Sequence, residues 1–164
     1  MSSGNLIRLG GLAAILGGIL RGLASFLPGT TPRIMLVYLF TDVFLLFGSI
    51  GIYVFHREEI GLTGTLGFLL QVVGAVILIT RDVGVLGSAA YPVGALMFAA
   101  GLDLFAVGSW RRAKFPYWIL LLLVLSTIVG PIGYFAGGLS VLFVISGILF
   151  GIGFAGAGFK MLAQ

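Results

Sequence analysis

Four polar side chains interrupt long apolar stretches of the chain: Arg21, Asp42, Gln71 and Asp103. An isolated charge in hydrocarbon costs roughly 2.5–3.5 kcal/mol on insertion scales, so such groups pair, bind ions or charged solutes, or carry protons. Arg21 and Asp42 bound the stretch RGLASFLPGTTPRIMLVYLFTD, in which two apolar runs meet at a turn between Pro28 and Pro32. Arg21 precedes Pro28 by seven positions and Asp42 follows Pro32 by ten. At ~1.5 Å rise per residue, the two charges of a helical hairpin lie roughly 10 and 15 Å from its turn, a difference an arginine side chain spans. An Arg21–Asp42 pair is expected, either fixing the register of the hairpin or forming a binding or gating site. Removing one member would leave the other charge uncompensated.

Asp42 has company on its own helix. At 100° per residue, Tyr38, Asp42, Ser49 and His56 fall within about 40° of one another. This polar stripe is either a proton or ion path with Asp42 and His56 as titrating stations, or a row of interhelical hydrogen bonds interrupted by Leu45 and Ile52. In the second reading His56 is an interfacial residue beside Arg57, Glu58 and Glu59. Gln71, among Gly64, Gly67 and Gly74, reads as an interhelical hydrogen bond in a closely packed region. Asp103 precedes Arg111 by eight residues, hence lies ~12 Å inside that end, with Arg8 and Lys160 as candidate partners. Without a partner its neutral form is favoured, which suits proton coupling. Pro92 is expected to kink the fourth apolar run by removing a backbone donor. The candidate binding set is therefore Arg21, Tyr38, Asp42, Ser49, Gln71 and Asp103. No metal site or cofactor is expected. No enzymatic activity is expected either, because the single histidine forms no trio with a nucleophile and an acid. The glycines follow helical spacing rather than that of a phosphate loop.

These residues require a scaffold, and composition defines it. Of 164 residues, 60% are hydrophobic and only 9% charged, against about 25% charged in a soluble domain; mean hydropathy is +1.22. Such a chain must turn apolar surface toward lipid, and only helices or closed barrels satisfy every backbone group there. Continuously apolar runs such as YWILLLLVLSTIVG exclude the alternation of a barrel strand. Arg8 before LGGLAAILGGIL has the look of a signal peptide, but Arg21 interrupts the run and no Ala-x-Ala site follows, so this is the first span. Runs near the ~20 residues needed to cross a bilayer predict helices over 5–27, 33–56, 60–80, 84–109, 116–134 and 137–160. Pro116 suits a first turn, and Pro131 with Gly137-Gly138 reads as the last break.

The expected fold is all-α: a polytopic integral membrane protein in which residues 1–164 form a single domain of six transmembrane helices. Arg8, Arg57, Arg111, Arg112, Lys114 and Lys160 fall at one end of these spans and Arg33 and Arg81 at the other, six against two. The excess predicts cytoplasmic termini, in a cytoplasmic (inner) membrane of prokaryotic type. It also explains the net charge of +4 without nucleic acid. Trp110, Tyr117 and Trp118 flank the most basic loop as interfacial aromatics should.

Glycine numbers 27 and is patterned. Gly10, Ala14, Gly18 and Gly22 recur every four residues; Gly87, Gly94, Gly101 and Gly108 every seven; Gly147, Gly151 and Ala155 every four. Small-residue ridges let helix backbones approach closely in lipid, either within one bundle or against a second copy or a membrane-complex partner. An offset of 77 residues overlays Gly10 on Gly87, Gly17 on Gly94 and Gly74 on Gly151, as an inverted repeat of three helices would. Six helices, cytoplasmic termini and AAILGG in the first span resemble the substrate-binding subunits of energy-coupling-factor transporters in architecture, without a diagnostic motif and with shorter external connections than those subunits often carry. That resemblance implies capture of a small solute. The sequence thus supports binding or translocation of a small solute or ion through a polar site inside the bundle. The alternative is a non-catalytic accessory subunit docking through its glycine faces.

Overall fold

A computed structural model of the chain describes residues 3–27, 31–80, 87–110, 114–135 and 140–164. Among them are six α-helices: α1 (Ser3–Ala24), α2 (Pro32–His56), α3 (Gly61–Ile79), α4 (Ala90–Ser109), α5 (Tyr117–Phe135) and α6 (Ser140–Leu162). All six are long and apolar enough to span a membrane. Local chemistry explains their limits. Pro32 opens α2 behind an extended Thr31, where a missing N–H matters least. The α2–α3 turn is tight: the His56 carbonyl accepts from the N–H groups of Glu59 (2.8 Å) and Ile60 (3.2 Å), and Gly61 enters α3 with φ of +59°, a conformation glycine adopts without penalty.

Two prolines differ from expectation. Helix α4 starts at Ala90, after a 3-10 turn over Gly87–Ala89, rather than at 84; residues 81–86 lie outside the described part. Pro92 is therefore in the first turn of α4, where no helical hydrogen bond is lost and no kink follows. Pro131, expected as a break, lies inside α5. There it removes the N–H that would bond the carbonyl of Thr127.

Each helix packs beside the next in sequence, and α6 closes the ring by packing along α1. The α1–α2, α3–α4, α5–α6 and α1–α6 junctions are extensive, whereas α2 meets α3 and α4 meets α5 more lightly. The extensive junctions are built on glycine. A Cβ at Gly67 would lie 2.5 Å from the Phe105 nitrogen and 2.6 Å from the Gly101 oxygen. One at Gly74 would meet Phe98 N at 2.5 Å, and one at Gly108 would meet Gly64 N at 2.5 Å. Gly94, Gly101 and Gly108 of the seven-residue repeat thus seat on Gly64, Gly67 and Gly74 of α3, whereas a Cβ at Gly87, in the 3-10 turn, would meet nothing within 4 Å. Between α1 and α6, a Cβ at Gly18 would fall 2.6 Å from the Gly151 oxygen and 2.7 Å from Ala155 N, and Gly11 faces Gly158; Gly10 meets Gly51 of α2.

Packing within one bundle is the first of the two arrangements that the small-residue spacing allows. The ridge Gly10, Ala14, Gly18 and the ridge Gly147, Gly151, Ala155 lie inside the chain, where α1 packs against α2 and α6. A Cβ at Gly147 would meet Ser25 Cβ at 2.6 Å, while one at Gly22 would meet nothing within 4 Å. Close backbone approach of this kind supplies dispersion contacts between helices. Gly74 and Gly151, equated by the 77-residue offset, both sit at such junctions. The symmetry stops there, since α1 holds α2 closely but α4 holds α5 lightly.

Candidate binding cavity

The two halves of the bundle differ. Toward the end where α2 turns into α3, the interior is filled by Phe55, His56, Phe105, Phe115, Ile119, Leu120, Phe154 and Met161, all buried. Toward the α1–α2 end it is hollow, with a cavity of about 740 Å³. Arg21 enters its wall from the last turn of α1, and Tyr38, Thr41 and Asp42 from the first half of α2. Tyr91 and Ala95 line it from α4, Ser126, Thr127 and Tyr134 from α5, and Phe143 and Ser146 from α6. Leu45, Phe98 and Phe150 line its deeper part, and Phe150 stacks on Phe154 at 5.2 Å. Among the lining residues, Leu96, Tyr134 and Phe135 are exposed.

Its chemistry is set by which groups are already engaged. Thr41 donates to its own helix at Val37 O (2.7 Å), Ser126 to Leu123 O (2.6 Å), and Ser146 across to Ser126 O (2.9 Å). Tyr38 donates to Leu27 O at 2.9 Å, tying α2 to the end of α1. Hydroxyl protons thus point into backbone, and the wall presents chiefly carbon and aromatic rings. Among the described residues Arg21 and Asp42 are the two charged side chains on it, with the Arg21 guanidinium 5.4 Å from the centre of the Phe143 ring. That distance is in the cation–π range. The first-half position of Asp42 on α2 and the last-turn position of Arg21 on α1 bring both expected charges to one cavity.

The other expected residues separate from it. Ser49 is buried between helices, and among the described residues its Oγ has no hydrogen-bond partner. Gln71 is buried at the α3–α4 junction, where Nε2 donates to Gly101 O at 3.3 Å, as its glycine surroundings suggested. Asp103 accepts from or donates to Thr127 Oγ1 at 2.8 Å, so its partner is α5 rather than Arg8 or Lys160. Asp103 lies one turn beyond Ala99, a cavity-lining residue of α4, and Thr127 is itself on the wall.

His56 departs most from expectation. It is 0% exposed, with Phe115 at 4.4 Å, Phe55 at 5.0 Å and Phe105 at 5.7 Å between ring centroids. Nδ1 bonds Ile52 O at 3.2 Å, and Nε2 accepts from the backbone N–H of Lys114 at 3.2 Å. A carbonyl needs a donor and an N–H needs a lone pair, so the ring is the neutral Nδ1–H tautomer. The same segment supplies Lys114 Nζ, which bonds Phe55 O and the Glu59 carboxylate, each at 2.9 Å. The α2 stripe thus ends in an imidazole whose two nitrogens are both bonded to backbone groups.

Sequence reasoning missed Ser126, Thr127, Tyr134 and Ser146. One signal was present: Thr127 stands four residues before Pro131, so its carbonyl loses its helical donor. Among the described residues no group of three or more His, Cys, Asp or Glu side chains is arranged to hold a metal. No family model, curated protein or solved structure matches the chain.

Proposed function

We propose that the chain is an integral membrane protein that binds and translocates a small amphipathic solute through this cavity. One observation carries the reading: Arg21 and Asp42 line a cavity of about 740 Å³ whose remaining wall is largely apolar and aromatic. That volume falls within the roughly 300–1,000 Å³ of small-molecule sites, which pair apolar walls with a few placed polar groups. The solute's polar group meets the two charges and its apolar body lies among Tyr91, Tyr134, Phe143 and Phe150. The six-to-two distribution of Lys and Arg supports cytoplasmic termini in a prokaryotic-type cytoplasmic membrane, so the hollow end of the bundle faces the opposite side. Catalysis is not part of this reading, since the single histidine is engaged in structure. The accessory-subunit alternative drew on glycine faces that meet each other within the chain.

The test is thermal unfolding in lipid nanodiscs with octanoate, octylamine, phenylalanine and octanol as probes. Binding at about 100 times Kd adds about 2.7 kcal/mol. A charged or zwitterionic probe is expected to raise Tm, and Arg21→Gln or Asp42→Asn to flatten the response. No shift from any probe, or an equal shift from octanol, overturns the proposal.

A further inference from the structure

Thr127 Oγ1 lies 2.6 Å from the Val124 carbonyl and 2.8 Å from Asp103 Oδ1. A hydroxyl has one proton and both neighbours are acceptors if Asp103 is ionised. One of two short O···O contacts would then lack a proton. Both are satisfied when Thr127 donates to Val124 O and Asp103 donates to Thr127, which requires a neutral carboxylic acid.

The surroundings agree. Helices α3 and α5, which pack against α4, carry no charged residue, and Asp103 is the only one on α4. Gln71 of α3 is bonded to Gly101. Helix α6 carries only Lys160, in its last turn. Helix α2 brings Asp42, on the cavity wall, and His56, with both nitrogens engaged; Lys114, in the segment between α4 and α5, is held by Glu59 and Phe55. Arg111 and Arg112 come eight and nine positions after Asp103. Arg21, also on the cavity wall, lies over the Phe143 ring; among the described residues Asp103 has no ion pair, and a carboxylate in an apolar setting without a paired cation is strongly disfavoured.

We infer that Asp103 is a resident proton-binding site of the bundle, connected to the cavity through the hydroxyl of Thr127. Release moves the Asp103 proton to Thr127 Oγ1 as the threonine's own proton passes to a cavity water, leaving a carboxylate and a hydronium ion; rebinding reverses both transfers. This deepens the cavity reading by naming the proton as its coupling ion, and the coupling rests on that reading. The proton itself is detected without any solute.

Infrared difference spectroscopy of the protein in nanodiscs at neutral pH is the test. The carbonyl stretch of a protonated carboxylic acid is expected in the wild type and in Asp42→Asn, shifting in D₂O, and absent from Asp103→Asn. The asparagine amide can still donate to Thr127, so that variant keeps its fold. Thr127→Val is expected to retain the band but slow its deuterium shift by an order of magnitude or more. Loss of a carboxylate band in Asp103→Asn overturns the assignment, and an unchanged deuterium rate in Thr127→Val overturns the connection. A negative band leaves solute binding standing, and a blank solute panel leaves the band in place.

Discussion

The backbone N–H of Lys114 donates to Nε2 of His56 at 3.2 Å, joining positions 58 residues apart in sequence. This bond fixes the segment before α5 against the end of α2 and lets Phe115 close over the imidazole. His56→Phe preserves an aromatic ring but strands that N–H and the Ile52 side of the ring. A loss of about 1–3 kcal/mol follows, the usual cost of an unsatisfied buried donor. His56→Gln, whose carbonyl can accept from Lys114, should lose less. Reversible unfolding in mixed micelles measures both.

Lys114 Nζ also caps α2 by bonding Phe55 O and pairs with Glu59 Oε1, while Glu59 Oε2 is buried without a partner. Lys114→Met therefore removes the cap and the countercharge together. We expect it to destabilise by about 1.5–3 kcal/mol, the range for hydrogen bonds to charged groups, and Glu59→Gln in the same chain to restore part of that. Equal stability of Lys114→Met and wild type would contradict this account.

The glycine junctions make a graded prediction. Gly67→Ala drives a methyl against the α4 backbone at 2.5 Å, whereas Gly22→Ala points into open space. Overpacking costs about 1–3 kcal/mol, so Gly67→Ala should lower the unfolding free energy by that amount or more. Gly22→Ala should be neutral or slightly stabilising. Parallel unfolding curves of the two variants decide it.

The cavity can be filled rather than discharged. Ala95 lines it from α4, and Ala95→Phe adds a ring where the solute's apolar body would lie. Probe-dependent shifts in Tm should disappear while the Tm of the unliganded protein holds or rises. A retained shift would locate binding elsewhere.

The six helices were legible because uninterrupted apolar runs of bilayer-crossing length are separated by Pro, Gly and charge. Arg21 and Asp42 were legible as residues that come together in the interior because a charge in an apolar run is conspicuous, and Tyr38 because it shares the stripe of Asp42. Thr127 was not: a hydroxyl bonded back to its own helix costs little, so its type carries no signal until Asp103 is seen beside it. His56 misled for the opposite reason. Its neighbours Arg57, Glu58 and Glu59 suggest an interface, but Phe105 and Phe115 come from elsewhere in the chain to cover it. Prolines 92 and 131 exchanged roles because helix limits near glycine-rich turns depend on packing that composition does not specify.

The glycine seam between α1 and α6 has a consequence for biogenesis. On a ribosome α6 emerges after the other five helices, so the face of α1 bearing Gly11 and Gly18 has no mate while α2 through α5 are being made. Until then α1 is held by α2 alone among its major neighbours. A chain stalled before α6 would expose both that seam and the matching face of α5, an unfinished ring of five helices.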